Sequence, residues 1–501
     1  MQSFYLSVLI AAVLFADTVQ AREFTSEIED LFRRGKTDSA LAASQGFVVA
    51  HPDSADAHGY LGTLYTEIGR LEEALAAFKR VIDLNPDQVD GYRNLSLLQT
   101  RIGNVDEAIL TLTTGIERLP MSTQLLNERG LIRGNTGRLD EAISDFESAI
   151  RIASKEPTAY HSLALLYATG GDNESAIKTI DRGLSALPGD AKLLVNKGGV
   201  LHASGDVAGA FRTYRSAIDS ATEDAQVHRS FGFMAAEAGS LAVAEAAWAE
   251  AVRLNPNDLE VRNTLGQLYI NKEDGKRALE QFEAIVEIEP RAAVSRHTLG
   301  FLYRSKGDSD LAKQEFRACI QLEPSWTEPY KSLSMLYVEE GHLDSALTVY
   351  NIALSVDSTD ASIHNNVGFL YSMAKDWENA KKAYNNAVVF TQDSEMMRDV
   401  QENLSIIESI EAGEVQVRHI VVRTEAKARD LLGQLQAGAD FAVLAKEHSI
   451  DASASQGGNL GFFEKGDLHP DFEASAVVLE VGGLSEIVQT PVGFHIIQRT
   501  L

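Results

Sequence analysis

The chain has 501 residues, of which 45% are hydrophobic and 23% charged, a composition that argues for a packed protein and against disorder. A formal net charge of −27 repels phosphate backbones and argues against nucleic acid as a partner. The single cysteine, Cys319, excludes a disulfide framework and a thiolate zinc centre.

Residues 3–16, SFYLSVLIAAVLFA, form an apolar run too short to span a bilayer comfortably. Val19-Gln20-Ala21 follows, with small residues placed for signal peptidase cleavage before Arg22. No Lys or Arg precedes the run, a departure from the usual signal. Residues 1–21 are therefore expected to be a signal peptide. An exported protein follows, most simply in a bacterial periplasm, with secretion or an uncleaved anchor as alternatives. No other run is long enough to cross a membrane, so no stable span is expected after cleavage.

From residue 22 the chain keeps a beat. Ala40, Ala74, Ala108, Ala142, Ala176, Ala210, Ala244, Ala278, Ala312, Ala346 and Ala380 stand 34 residues apart without insertion or deletion. A fixed period of that size signals a solenoid of small helical units. In residues 55–88, Leu61, Leu64 and Tyr65 recur at helical spacing, and Leu71, Ala74, Phe78 and Ile82 do so again after Gly69. Gly69 stands where a first helix ends and Pro86 where a second has ended. The small eighth residue (Gly62 and its equivalents) and the alanine let two antiparallel helices approach closely. A large ring four places after the alanine, such as Phe78 or Trp248, is expected to fill the space toward the next repeat. Glu273 and Lys375 replace the turn glycine, and those two turns are expected to be strained or shifted. An amphipathic helix over 394–411, with Met396, Met397, Val400, Leu404 and Ile407 on one face, is expected to cap the last repeat.

The order of small eighth residue, Tyr at the eleventh place, Gly, Ala, aromatic and Pro resembles the tetratricopeptide repeat over residues 21–394. The resemblance implies an all-α superhelix of about eleven helix–turn–helix units, whose concave wall of first helices binds peptides or protein surfaces. Residues 1–414 hold 38 Lys and Arg against 61 Asp and Glu, so the acidity belongs mostly to the array. The fifth place of each first helix is expected to face the groove. It carries Arg93, Asn127, His161, Arg229, Asn263, His297, Lys331 and Asn365, with Gly59 and Val195 between them and no acid. Asn and Arg there offer donors to the carbonyls of an extended peptide. Solvation of an exposed face is the other explanation for that row. His161 and His297 are too far apart in the array to form a metal site, and Cys319 is a core residue.

At about residue 394 the beat stops. Short β-branched runs then stand at 417–422 and 494–497. Between them lie helices at 425–436 and 439–448, a loop at 449–463 and a short helix near 471–479. Such an order suggests a small α+β domain over 415–501 whose terminal strands pair, joined to the solenoid (22–394) by a capping helix and linker at 395–414. His-Ile-Val-Val at 419–422, Asp-Phe-Ala-Val-Leu-Ala at 440–445, Gly-Gly-Asn-Leu-Gly-Phe-Phe at 457–463 and Val-Gly-Phe-His-Ile-Ile at 492–497 resemble the parvulin peptidyl-prolyl isomerases.

The resemblance implies a site in which His419 and His495 are the paired core histidines. Asp451 takes the position held by Cys or Asp in the family, and Thr490 is a polar neighbour. Leu460, Leu468 and Phe472 form the apolar pocket for the proline ring. Leu468 stands where Met is usual and Asn459 where Asp is common; both keep size or polarity. The chain lacks the basic loop that makes some parvulins phosphate-selective. The implied function is isomerisation of X–Pro bonds in proline-containing clients recruited by the array, with no cofactor or metal. The alternative is a scaffold or holdase whose parvulin-like domain only binds peptide.

Overall fold

The computed structural model describes Ile28, Asp30, Leu31 and residues 34–501. The signal peptide expected in residues 1–21 lies outside the described residues, as does most of the first helix expected from Thr25 to Arg33. Among the described residues no helix is long and apolar enough to cross a membrane. The chain divides into two compact units, one ending at Leu268 and the other formed by Tyr269–Leu501.

In the first unit the 34-residue beat becomes a train of helix pairs. Ala55–Glu67 is followed by Leu71–Leu84, Val89–Arg101 by Val105–Arg118, and the register continues to Ala225–Glu237 and Leu241–Leu254. Ser54 and Asp190 begin their helices by accepting a backbone N–H three residues ahead, which satisfies one of the donors a helix start leaves open. Each first helix ends on a residue of positive φ, as at Gly69 (78°) and Gly103 (87°). That backbone is the one glycine adopts without penalty.

All eleven alanines of the beat are fully buried, at 0% exposure. The rings differ from expectation. Phe78 lies on Gly62 of its own repeat, and Trp248 on Gly232, so closely that a Cβ at either glycine would meet the ring at 2.8 and 2.4 Å. The ring therefore closes its own helix pair first, and only its far side reaches the next repeat, as Phe78 reaches Leu95 and Leu98. Repeats three and five show the same rule from the other direction. There the ring is replaced by Leu112 or Ile180, and the glycine by Ser96 or Ala164. Volume is conserved across the pair, as close packing requires.

The second unit carries the beat through Ala361–Met373 and Trp377–Phe390. Glu273 and Lys375 keep the left-handed turn, each at φ 58°, so these turns hold the common shape with residues that dislike it. The helix Ser394–Glu411 places Met396, Val400, Leu404 and Ile407 against Ala380, Tyr384 and Ala387, while Met397, half-buried like Met396 and Leu404, stands outside that cluster. Gly413, at φ 77°, then turns the chain into the α+β domain.

That domain has strands β1 (Val415–Val422), β2 (Asn459–Phe463), β3 (Val488–Thr490) and β4 (Gly493–Arg499), and helices α1 (Glu425–Gln436), α2 (Phe441–His448) and α3 (Pro470–Val477). The sheet is antiparallel with order β2-β1-β4-β3. The terminal strands pair as expected, but part of the expected 449–463 loop is an edge strand, β2, paired with β1 from Val415 to Arg418. Period-2 alternation sorts β1 and β4 into two faces. Ile420, Val422 and Ile496 pack with Ala428, Leu431, Phe441 and Leu444 of α1 and α2. Val417 and Ile497 point the other way, toward Phe463 and Phe472 of β2 and α3.

Candidate active site

His419 and His495 belong to the second of those faces. The β1–β4 register sets His419 opposite Ile497 and Val421 opposite His495, so the two histidines are diagonal neighbours. Their rings stack at 5.2 Å between centroids, with Nδ1 of one 3.1 Å from Nδ1 of the other. Thr490, on β3, brings its hydroxyl to 2.7 Å from His495 Nε2 and itself accepts the Val492 N–H at 3.2 Å.

Asp451 is delivered by the segment beside β1. The Ser449 hydroxyl accepts the Val421 N–H at 3.1 Å, and the Ile450 N–H donates to Val421 O at 2.9 Å. Asp451 then begins a 3₁₀ turn, Ala452–Gln456, by accepting the Ser453 N–H at 2.8 Å. Its Oδ1 comes to 3.2 Å from His419 Nε2, an electrostatic contact without good hydrogen-bond alignment. The Gly457–Gly458 pair lets this segment cross β1. A Cβ on Gly458 would lie 2.2 Å from the His419 carbonyl, and the Gly458 carbonyl accepts the His419 N–H at 2.8 Å.

Burial pushes the His419 pKa below its ordinary value, and Asp451 offsets only part of that. Burial, followed by repulsion from His419, pushes His495 down to about 4. Burial works against ionisation of Asp451, but Ser453 and His419 outweigh it and hold the carboxyl at about 2. At neutral pH the site therefore holds two neutral rings beside a carboxylate. One proton arrangement suits every contact. Thr490 donates to His495 Nε2, His495 Nδ1–H donates to His419 Nδ1, and His419 Nε2–H faces the carboxylate. The reverse direction would set a bare ring nitrogen against Asp451.

Phe472 closes the apolar side. Its ring is buried and meets both histidines edge-on, at 5.7 Å from His419 and 5.4 Å from His495. Leu460 and Leu468 pack in the same cluster and remain half-buried, so their free sides reach solvent. Leu468 is held by a residue that sequence reasoning left without a role: Glu473 Oε1 accepts the N–H groups of Gly466 at 2.8 Å and Leu468 at 2.9 Å. Ser449 was equally missed. The adjacency of Glu473 to Phe472 along the chain was the only available signal, and Ser449 had none. The seven residues expected in the pocket form one connected set: Thr490, His495, His419 and Asp451 follow one another by polar contacts, and Phe472 joins both histidines to the cluster of Leu460 and Leu468.

Five of the eight named fifth-place residues are occupied between repeats. Arg93 pairs with Glu128 at 3.0 Å and with Asp90 at 3.4 Å. His161 Nδ1 meets the Asn196 amide at 2.9 Å, and Arg229 pairs with Asp258 and Glu260. In the second unit His297 contacts the Ser332 hydroxyl at 3.0 Å and Lys331 pairs with Asp360 at 3.4 Å. Asn127 and Asn365 each bury a side-chain oxygen with no hydrogen-bond partner among the described residues, and Asn263 is exposed. The row links successive first helices, and its cations already have acids. Cys319 is fully buried, its Sγ 3.2 Å from Ala293 O, and burial raises its thiol to about 12.

Comparison with known proteins agrees with both regions. The pattern described as PPIC-type PPIASE domain matches residues 417–500. Tetratricopeptide-repeat patterns match 26–89, 94–157, 161–225 and 235–293, together half of the chain, with further matches at 293–325 and 336–375. The foldase protein PrsA of Halalkalibacterium halodurans is 48% identical over 88 residues, covering 17% of this chain and 26% of the relative. The chaperone SurA of Thiobacillus denitrificans is 47% identical over 90 residues, covering 16% and 21%. The chain thus spans between about a fifth and two fifths of the length of these curated relatives. Among solved structures, the C-terminal part of a TPR repeat-containing protein from Cytophaga hutchinsonii is 17% identical, covering 54% of this chain and 97% of that one, at a TM-score of 0.37. The chain belongs to the tetratricopeptide-repeat family and carries a PPIC-type peptidyl-prolyl isomerase domain at residues 417–500.

Proposed function

We propose that the protein is an exported peptidyl-prolyl cis–trans isomerase that acts on X–Pro bonds of clients recruited by its repeat array. The observation that carries this reading is the polar chain from Thr490 through His495 and His419 to Asp451, facing the apolar wall of Phe472, Leu460 and Leu468. Export is supported by the apolar run at 3–16 and by Val19-Gln20-Ala21.

Rotation about the X–Pro bond is slow because amide resonance raises a barrier of about 18–20 kcal/mol. Rotation breaks no covalent bond, so the site has only to favour the twisted amide over the planar one. Phe472, Leu460 and Leu468 hold the ring, while the chain acyl group turns against the polar wall. His419, His495, Thr490 and Asp451 set the polarity of that wall, and no proton transfer is assigned to either ring. Uncatalysed isomerisation takes tens to hundreds of seconds. Holding a client on the array raises the concentration of its prolines at the pocket.

The full chain is expected to accelerate cis–trans exchange in a proline tetrapeptide. F472A is expected to lower kcat/KM by at least roughly tenfold, the scale of one apolar pocket contact. Wild-type protein with no activity on any proline tetrapeptide would refute the enzyme reading. The rival, a holdase that only binds peptide, draws on Leu468 standing where the family usually has Met. Client rescue that survives F472A in the absence of isomerase activity would favour that rival.

A further inference from the structure

Two members of the apolar wall come from different parts of the chain. Phe472 stands in α3, whereas Leu468 ends the loop of residues 464–468 that lies between β2 and the cap of α3. Phe472 is buried and meets both histidine rings, so packing fixes its place. Leu468 is half-buried, and the four residues before it are exposed. Packing holds one side of Leu468 and leaves the other to solvent.

The loop does little to hold that side chain by itself. Among the described residues, one backbone bond closes it internally, from the Asp467 N–H to Glu464 O at 3.2 Å. Asp467 Oδ2 accepts the Glu464 N–H at 2.8 Å across the same turn. Neither bond reaches α3. The bonds that do reach it converge on one atom: Glu473 Oε1 accepts the N–H of Gly466 at 2.8 Å and that of Leu468 at 2.9 Å. Gly466, at φ 109°, takes a backbone that residues with side chains avoid. Two N–H groups aimed at one oxygen make a small anion-binding concavity, filled here from within the chain.

Ordinary helix capping does not account for Glu473. It is the fourth residue of α3, and its own N–H is already bonded to His469 O at 3.0 Å. A glutamate that serves a helix start stands one place earlier and reaches the N–H of the cap residue. This carboxylate passes the cap, His469, and takes two donors that lie outside the helix.

We infer that Glu473 is a positioning residue for the proline pocket, one that sets the width of the slot between Phe472, its neighbour in sequence, and Leu468. With the loop clasped to α3, the slot has its shape before a ring enters, and binding need not first order the loop. In this role Glu473 acts through Leu468 and not on the ring. The inference rests on the reading of this pocket as the seat of the proline ring.

The test uses the full chain, its variants E473A, E473D, E473Q, L468A and E473A/L468A, and a fluorescein-labelled proline tetrapeptide. Affinity is read by fluorescence anisotropy, turnover by NMR exchange, and folding by the urea midpoint. E473A is expected to raise KM and lower kcat/KM by at least roughly tenfold, as a misplaced pocket wall does. E473D is one methylene shorter and is expected to raise KM as well. E473Q keeps an oxygen that accepts both N–H groups, without the charge, and is expected to recover kcat/KM to within roughly threefold of wild type. In the L468A background, adding E473A is expected to change kcat/KM by less than roughly twofold, because the contact it acts through is gone.

Wild-type KM and peptide affinity in folded E473A or E473D overturn the inference and leave the isomerase reading standing. A loss confined to kcat that matches the lost folded fraction also overturns it, since a purely structural role predicts that pattern. So does an E473A loss that persists in full in the L468A background. If wild-type protein binds the tetrapeptide without turning it over, the isomerase reading fails. Weaker binding by E473A, restored in E473Q, then still upholds the inference, and equal binding overturns it.

Discussion

The glycine beneath Trp248 has an equivalent 34 positions away in either direction along the array, whereas the glycine beneath the His419 carbonyl has none. In the array the same contact is made many times between residues 16 apart, and losing one copy leaves the others intact. In the C-terminal domain each contact is made once, and His419 reaches His495 across 76 residues. The difference teaches where damage spreads. It should stay local in the array and be total in the domain.

Gly458→Ala probes this most severely, because it combines a 2.2 Å approach to the His419 carbonyl with φ of +83°. A loss of roughly 3 kcal/mol or more is expected for such strain, with isomerase turnover abolished while the helical circular dichroism of the array persists. If the array melted with it, the contrast between the regions would be broken. The pH response comes next. The unfolded His495 takes up a proton near its ordinary value of 6.5, and the folded one only at about 4. Its contribution, on the order of 2–3 kcal/mol, is full above pH 6.5 and is lost as pH falls to 4. Urea midpoints of the domain should decline through that window. Turnover followed by NMR exchange should hold to about pH 5 and fail near 4, where protonated Nε2 can no longer accept from Thr490.

Gly232→Ala is the mirror experiment. Its Cβ would meet the Trp248 ring at 2.4 Å, and overpacking of that kind costs about 1–3 kcal/mol. Partial early melting of the helical signal is expected, with tetrapeptide turnover untouched. The smallest effect has the opposite sign. Lys375→Gly relieves a left-handed backbone at φ 58° and should stabilise the last repeats by about 0.5–1 kcal/mol in thermal melts.

The same contrast decided how much was legible in the sequence. The helix pairs, their turns and the buried alanines were readable because eleven copies average out accident. Even the departures at Glu273 and Lys375 could be expected to strain their turns. The ring was placed toward the next repeat, although the exchange of Gly for Ser96 or Ala164 wherever the ring becomes Leu112 or Ile180 pointed to its own. The partners of the fifth-place row were missed because they lie about one full repeat away, as Arg93 and Glu128 do. In the domain β1 and β4 announced themselves through β-branched runs. β2 did not, since Asn459 and Gly461 weaken its local propensity and its pairing with β1 is a long-range event. The proposed pocket residues were named by resemblance, and their neighbours Ser449 and Glu473 act through backbone N–H groups that leave no pattern in sequence.

The diagonal seating of His419 and His495 on two paired strands has one more consequence. Neither ring is held by its own strand alone, so no fragment of the domain can present half a pocket. Opening of the β1–β4 pair removes both walls at once, and re-pairing restores both together. Under the isomerase reading proposed above, turnover would therefore report on the fold of the domain itself.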